Sequence, residues 1–177
     1  MARPPTDLRP RVLDAALSVL LHRGAHAVTL DAVAREAGVS KGGLLYQFPG
    51  RAALLEGMVR DVIARFDGAV AEAMAADPQP VGRFLRAYLR VVMAESERSA
   101  ARALLAAVAA EPALSEVVRE GYAGWFARAA EDGLPADRAR LVLAAADGLW
   151  VQRAFETDAT DTGWVDGLIA LTRGGAP

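Results

Sequence analysis

The chain has 177 residues, is 53% hydrophobic and contains no cysteine, so a packed core is within reach and disulfides and thiolate metal sites are excluded. Its formal charge of −2 is unevenly spread: residues 1–51 carry seven cations against four anions, a net +3, which leaves −5 for the remainder. A basic head on an acidic body suits contact with a polyanion at one end only, although an imbalance this small also arises by chance.

Residues 1–9 are proline-rich and read as a loose arm, and Met1-Ala2-Arg3-Pro4-Pro5 lacks the apolar run of a signal peptide. From Arg11 the apolar positions Leu13, Ala16, Leu17 and Leu20 recur at helical spacing, and Gly24 ends that helix. Thr29 stands as an N-cap before Leu30, Val33, Ala34 and Ala37, and Gly38 closes this short helix. Ser40 caps a second short helix, Lys41–Gln47, which Pro49-Gly50 stops. A long helix fits 51–76, with Leu54, Leu55, Met58, Val59, Val62, Ile63 and Phe66 on its inner side. Asp77-Pro78-Gln79-Pro80 is the sharpest break, and five more helices fit 81–95, 99–110, 113–131, 137–156 and 161–173. No stretch alternates as a strand, and charges interrupt every apolar run short of the roughly 18 residues that a membrane span needs. The pattern predicts an all-α, nine-helix protein of the cytoplasm with no membrane contact.

The functional signal lies in Thr29–Phe48, a helix, a glycine-containing turn and a second helix. In such a unit the first helix braces the second, whose exposed side enters the major groove. The second helix presents Lys41, Gly42, Gly43, Leu45, Tyr46 and Gln47, while Leu44 and Phe48 pack inward. Each glycine costs about 1 kcal/mol of helix propensity against alanine, which close approach to DNA would justify and an irregular turn would equally explain. Lys41, the only lysine, suits a phosphate or a guanine edge, or simply solvent. Thr29 has a hydroxyl for a phosphate as well as for its cap. Tyr46 fits a phosphate contact or a half-buried position. Arg51 faces the positive end of the long helix, an unfavourable placement that a phosphate would reverse. Arg3 or Arg9 of the arm would suit a minor groove if that arm is ordered.

Catalytic chemistry finds little support. His22 and His26 straddle Gly24 at a helix end, no Glu-x-x-His pair exists, and neither a nucleophile elbow nor a phosphate loop is present. No enzyme, metal or cofactor is expected. A helical binding module without DNA activity remains the alternative.

From Val12 to Leu55 the chain resembles the DNA-binding domain of the tetracycline-repressor (TetR) family of bacterial regulators. The resemblance is carried by the leading helix ending in Gly24, Thr29-Leu30, Val33-Ala34, Ala37-Gly38-Val39-Ser40, Leu44, Tyr46, Phe48, Arg51 and Leu54-Leu55. It implies that Thr29, Ser40, Lys41, Gly42, Gly43, Tyr46, Gln47 and Arg51 face DNA. The chain departs from the family pattern at Leu45, where an aromatic is usual, at Gln47, where histidine is common, and at Arg51, which replaces lysine. The family's organisation implies a DNA-binding domain over residues 1–50 and a ligand-binding and dimerisation domain over 51–177.

The same resemblance implies a homodimer on a palindromic double-stranded operator, most simply a repressor released by a small apolar or amphipathic effector, with activation or ligand-independent control as alternatives. Its dimer interface would fall on the last two helices, at Leu141, Ala145, Gly148, Leu149 and Gln152 and at Trp164, Leu168 and Leu171. An effector cavity would be lined by Met58, Val62, Phe66, Phe84, Tyr88, Met93, Tyr122, Trp125, Phe126, Asp147 and Trp150, any of which would serve equally as ordinary core.

Overall fold

The computed structural model describes residues 8–94, 97–155 and 163–173. Among them the chain forms nine α-helices and no strand: α1 (Leu8–Arg23), α2 (Leu30–Ala37), α3 (Lys41–Gln47), α4 (Arg51–Ala75), α5 (Arg83–Met93), α6 (Glu97–Ala110), α7 (Ser115–Ala130), α8 (Ala136–Ala154) and α9 (Gly163–Leu171). Short 3-10 turns occupy Ala25–Ala27 and Pro112–Leu114. The nine expected helices are present, with ends displaced by up to three residues, the largest shift being at the start. Leu8 and Arg9 belong to α1 rather than to the arm, and Pro10 lies in the first turn of that helix. Pro10 is tolerated because its missing N–H falls in the first turn, where no intrahelical acceptor exists. Arg3 lies outside the described residues.

The helices fall into two compact units, with the division inside α4. The first comprises the chain through Ile63 together with Arg102–Val118, and the second Ala64–Ala101 with Arg119 onward. In the first unit α1 packs on α2 and α2 on α3. Val12, Ala16, Val19, Val28, Val33, Leu44, Leu54, Leu55 and Val59 are among its most deeply buried apolar side chains. In the second unit α5 packs on α8 and α8 on α9. Phe84, Leu85, Tyr88, Leu89, Val142, Leu143 and Ala146 form the centre of its core.

The Asp77–Pro80 break is a structural joint in the second unit. Arg86 is 3% exposed, and its guanidinium donates from Nε to Asp77 Oδ2 at 2.8 Å, with further bonds to the carbonyls of Gln79 (2.7 Å), Val81 (2.8 Å) and Thr172 (2.9 Å). Asp77 also accepts from the Gln79 N–H at 3.0 Å. The Arg86 hydrogen bond, more than any other influence, holds the Asp77 carboxyl down to about 2. Gly82 precedes α5 with φ +71°, and a Cβ there would lie 1.9 Å from the Thr172 carbonyl oxygen. Having no side chain, Gly82 cannot cap α5. Asp132, from the α7–α8 connection, accepts instead from the N–H groups of Phe84 (2.8 Å) and Leu85 (3.0 Å).

Candidate nucleic-acid interface

Two short helices meet through caps written into the local sequence. Thr29 is extended (φ −115°, ψ 154°) and its Oγ1 accepts from the Ala32 N–H at 3.1 Å, starting α2. Gly38 ends α2 in the left-handed region at φ +63°, and the Val39 N–H closes back on the Ala34 carbonyl at 2.9 Å. Arg11 donates to the Ala37 carbonyl at 2.7 Å, satisfying another α2 terminus group from α1. Ser40 Oγ then accepts from the Gly43 N–H at 3.1 Å and starts α3.

α3 is anchored on one side only. Leu44 and Phe48 are buried. The Phe48 ring lies so close to Gly57 of α4 that a Cβ at Gly57 would approach its Cε1 to 2.5 Å, and the Arg9 guanidinium covers the ring at 4.7 Å. Lys41, Gly42, Leu45 and Tyr46 lie on the outer side, where Tyr46 is 87% exposed and Leu45 38%. Gln47 and Gly43 are half-buried. The two adjacent glycines have different causes. A Cβ on Gly43 would sit 3.2 Å from the Ser40 hydroxyl, so the cap itself accounts for that glycine. A Cβ on Gly42 would meet nothing within 4 Å, so no internal packing calls for a glycine there.

Two side chains expected to face DNA are engaged within the protein. Arg51 turns back from the start of α4, donating from Nε to the Val28 carbonyl and from Nη2 to the Ala25 carbonyl, both at 2.9 Å. Its unfavourable place at a helix N-terminus is thus offset by backbone carbonyls of the 3-10 turn, and no phosphate is needed to explain it. Lys41 Nζ lies 2.9 and 3.0 Å from the two carboxylate oxygens of Asp31 in α2. Thr29 and Ser40 are exposed beyond their caps.

The residues expected to line an effector cavity divide among several places. Met58 and Val62 are buried in the first unit. In the second, Phe66, Phe84, Tyr88, Tyr122 and Trp125 form a ring cluster with centroids 5.0–5.8 Å apart, largely edge-to-face or tilted. The Tyr88 hydroxyl donates to Asp147 at 2.7 Å. Burial pushes the Asp147 carboxyl upward, against the opposing pull of that hydrogen bond. Burial, then the Asp147 charge, likewise raises the Tyr88 phenol, and the Tyr122 phenol is pushed up to about 12 for the same two reasons.

Asp67 and Arg128 were not singled out from the sequence. Asp67 accepts from Trp125 Nε1 at 2.9 Å and from Arg128 at 3.1 Å, while the Arg128 guanidinium covers the Phe84 ring at 4.4 Å. No short-range pattern marks them, because Asp67 and Trp125 are 58 residues apart in the chain. Phe126 is 49% exposed and borders a pocket of about 330 Å³ floored by alanines, with Arg140 on its wall. Met93 lines a separate groove of about 360 Å³ with Leu89, Arg90 and α9 residues. Trp150 is half-buried and makes no ring contact with the cluster among the described residues.

On the last two helices, Leu141, Gly148 and Gln152 of α8 and Trp164 and Leu171 of α9 are exposed, and Ala145 is half-buried. Leu149 and Leu168 are buried within the chain, contrary to an interface role. Leu149 continues the inner stripe Val142, Leu143 and Ala146, and Leu168 continues that of Val165, so both belong to the core side of their helices. Val151 and Phe155 add exposed apolar surface not anticipated from the sequence, Phe155 at 69%.

A capped helix pair with one anchored and one open side, among described residues that form helices and no strand, is the arrangement of a helix-turn-helix protein. Residues 12–58 match the model for "Bacterial regulatory proteins, tetR family", and residues 82–172, just over half of the chain, match that for "Tetracyclin repressor-like, C-terminal domain". The chain belongs to the TetR family of bacterial regulatory proteins.

The HTH-type transcriptional regulator SrpR of Pseudomonas putida is 38% identical over 53 residues, 30% of this chain and 25% of SrpR. The HTH-type transcriptional regulator BetI of Escherichia coli (strain K12 / DH10B) is 35% identical over 71 residues, 40% of this chain and 36% of BetI. The matching part of the chain thus spans only about a quarter to a third of these relatives. Among solved structures, the multidrug binding protein EbrR complexed with malachite green superposes with a TM-score of 0.74 at 26% identity, covering 93% of this chain and 98% of that one. The fatty acid degradation regulator FadR of Bacillus halodurans, at 15% identity and a TM-score of 0.68 over 98% of both chains, shares the fold. No helix among the described residues is long and apolar enough to cross a membrane.

Proposed function

We propose that this regulator acts in the cytoplasm as a homodimeric repressor of an inverted-repeat operator and is released by a small apolar or amphipathic effector. One α3 would enter the major groove at each half-site, the two about one DNA turn apart. The observation that carries this reading is the outer side of α3: Tyr46 stands 87% exposed beside Leu45 and the open Gly42, while Leu44 and Phe48 hold the helix from behind. An aromatic left that far in water, next to a glycine with empty space around it, suits a surface that another molecule covers. Thr29, Ser40, Lys41 and Gln47 flank it, with Thr29 and Ser40 offering hydroxyls to phosphates.

The division of labour follows α4. Residues 1–50 read DNA, and residues 51–177 bind effector and dimerise. Dimerisation is supported by the exposed apolar side chains of Leu141 and Val151 on α8, Phe155 just past it, and Trp164 and Leu171 on α9. The effector class is supported by the aromatic cluster around Tyr88 and by the likeness to EbrR, which carries malachite green. An effector bound among the helices that carry this cluster would shift α4 and so re-space the reading heads. The test is selection of bound sequences from a random duplex pool. Enrichment of an inverted repeat supports the proposal. Failure to enrich any sequence, or enrichment of a lone half-site, refutes it.

A further inference from the structure

We propose that Asp31 is an internal competitor for Lys41, occupying the position of a DNA phosphate in the free protein and so limiting affinity for duplex of any sequence. The inference rests on the DNA-reading role of α3.

Lys41 is the only positive side chain on α3 and the only lysine in the chain. Four other cations around the helix pair are engaged, whereas Arg35 of α2 is exposed. Arg11 is bound to the Ala37 carbonyl, Arg51 to the Ala25 and Val28 carbonyls, and Arg23 to Glu36, while Arg9 covers the Phe48 ring. Among the side chains of α3 itself, attraction for a phosphate rests on this one ammonium, which sits 2.9 and 3.0 Å from the two carboxylate oxygens of Asp31.

Both partners are more than half exposed, at 55% and 64%. Such a pair is weakly held and opens readily, so it lowers affinity without abolishing binding. When a phosphate takes Lys41, Asp31 is left bare beside a polyanion. It then draws back a cation that phosphate neutralisation would otherwise have released, which flattens the salt dependence of binding.

The test is anisotropy titration of the full chain with a labelled random-sequence duplex over a series of salt concentrations. Asp31→Asn is expected to tighten binding roughly two- to fivefold at low salt, the range of an exposed pair. It should also steepen the slope of log affinity against log salt by up to about 0.9, one phosphate equivalent. Asp31→Glu, which keeps the charge, should stay near wild type, and Asp31→Ser should move with Asp31→Asn. In a Lys41→Ala background the gain from Asp31→Asn should shrink, since only repulsion of phosphate remains to be relieved. No gain from either neutral variant, or an equal gain in both backgrounds, overturns the competitor role while leaving DNA reading intact. A wild-type chain with no low-salt affinity for duplex overturns both.

Discussion

The joint around Arg86 offers the sharpest test of how the second unit is held together. Asp77→Asn keeps the size of the side chain but removes the charge that neutralises a guanidinium only 3% exposed. The Gln79, Val81 and Thr172 carbonyls still accept from Arg86, yet none carries a full negative charge, and Arg90, whose guanidinium lies 3.6 Å from Asp77, adds a second positive charge. Breaking one half of a buried pair in this way is expected to cost about 3 kcal/mol. For a chain of this size that lowers Tm by roughly 6–12 °C, measured at fixed protein concentration.

The acid limb gives an independent check. The folded carboxyl lies at about 2, below its ordinary 3.8, so the unfolded chain takes up the proton first. The stabilisation is complete above about pH 4 and is lost as pH falls through 2, and the gap corresponds to about 2 kcal/mol. Urea unfolding of wild type and Asp77→Asn from pH 7 down to pH 2 should show the two stabilities converging in that window. A variant within about 1 kcal/mol of wild type at pH 7, or one with an unchanged acid slope, would refute the account.

Tyr46→Ala should weaken duplex binding by about 1–3 kcal/mol in a gel-shift assay while changing Tm little, because an 87% exposed side chain contributes little to the fold. Gly57→Ala should both destabilise the first unit by about 1–3 kcal/mol and impair DNA binding, since the new Cβ forces Phe48 off its seat behind α3; unaltered unfolding would show that the ring has room to move. Tyr88→Phe removes the hydrogen bond that opposes burial at Asp147, so the Asp147 carboxyl should titrate at still higher pH by carbon-detected NMR. Leu141→Arg on α8 should yield a monomer in sedimentation with helix content retained, whereas an unchanged mass would remove Leu141 from the interface.

The helix-turn-helix was legible because its determinants are local. The Thr29 cap reaches three residues along the chain to Ala32, Ser40 three to Gly43, and the Gly38 turn closes between Val39 and Ala34. Apolar periodicity likewise showed which side of α3 is buried, because Leu44 and Phe48 are one helical turn apart. The uses of the charged residues were not legible. Arg51 looked like a phosphate ligand until its partners, 23 and 26 residues back, were in place. Lys41 appeared free because nothing in its spacing pairs it with Asp31.

By itself, then, the amino-acid order placed the helices to within about three residues and marked the capped helix pair, since those choices are made by groups within a turn of each other. Only the assembled fold decided which stripe of α8 faces inward, taking Leu149 and leaving Leu141 exposed, and which carboxylates meet which donors. Arg86 and Thr172 lie 86 residues apart, and Tyr88 and Asp147 lie 59 apart. Such pairings carry no short-range signal, because burial and the satisfaction of buried polar groups are settled by every helix packed around them.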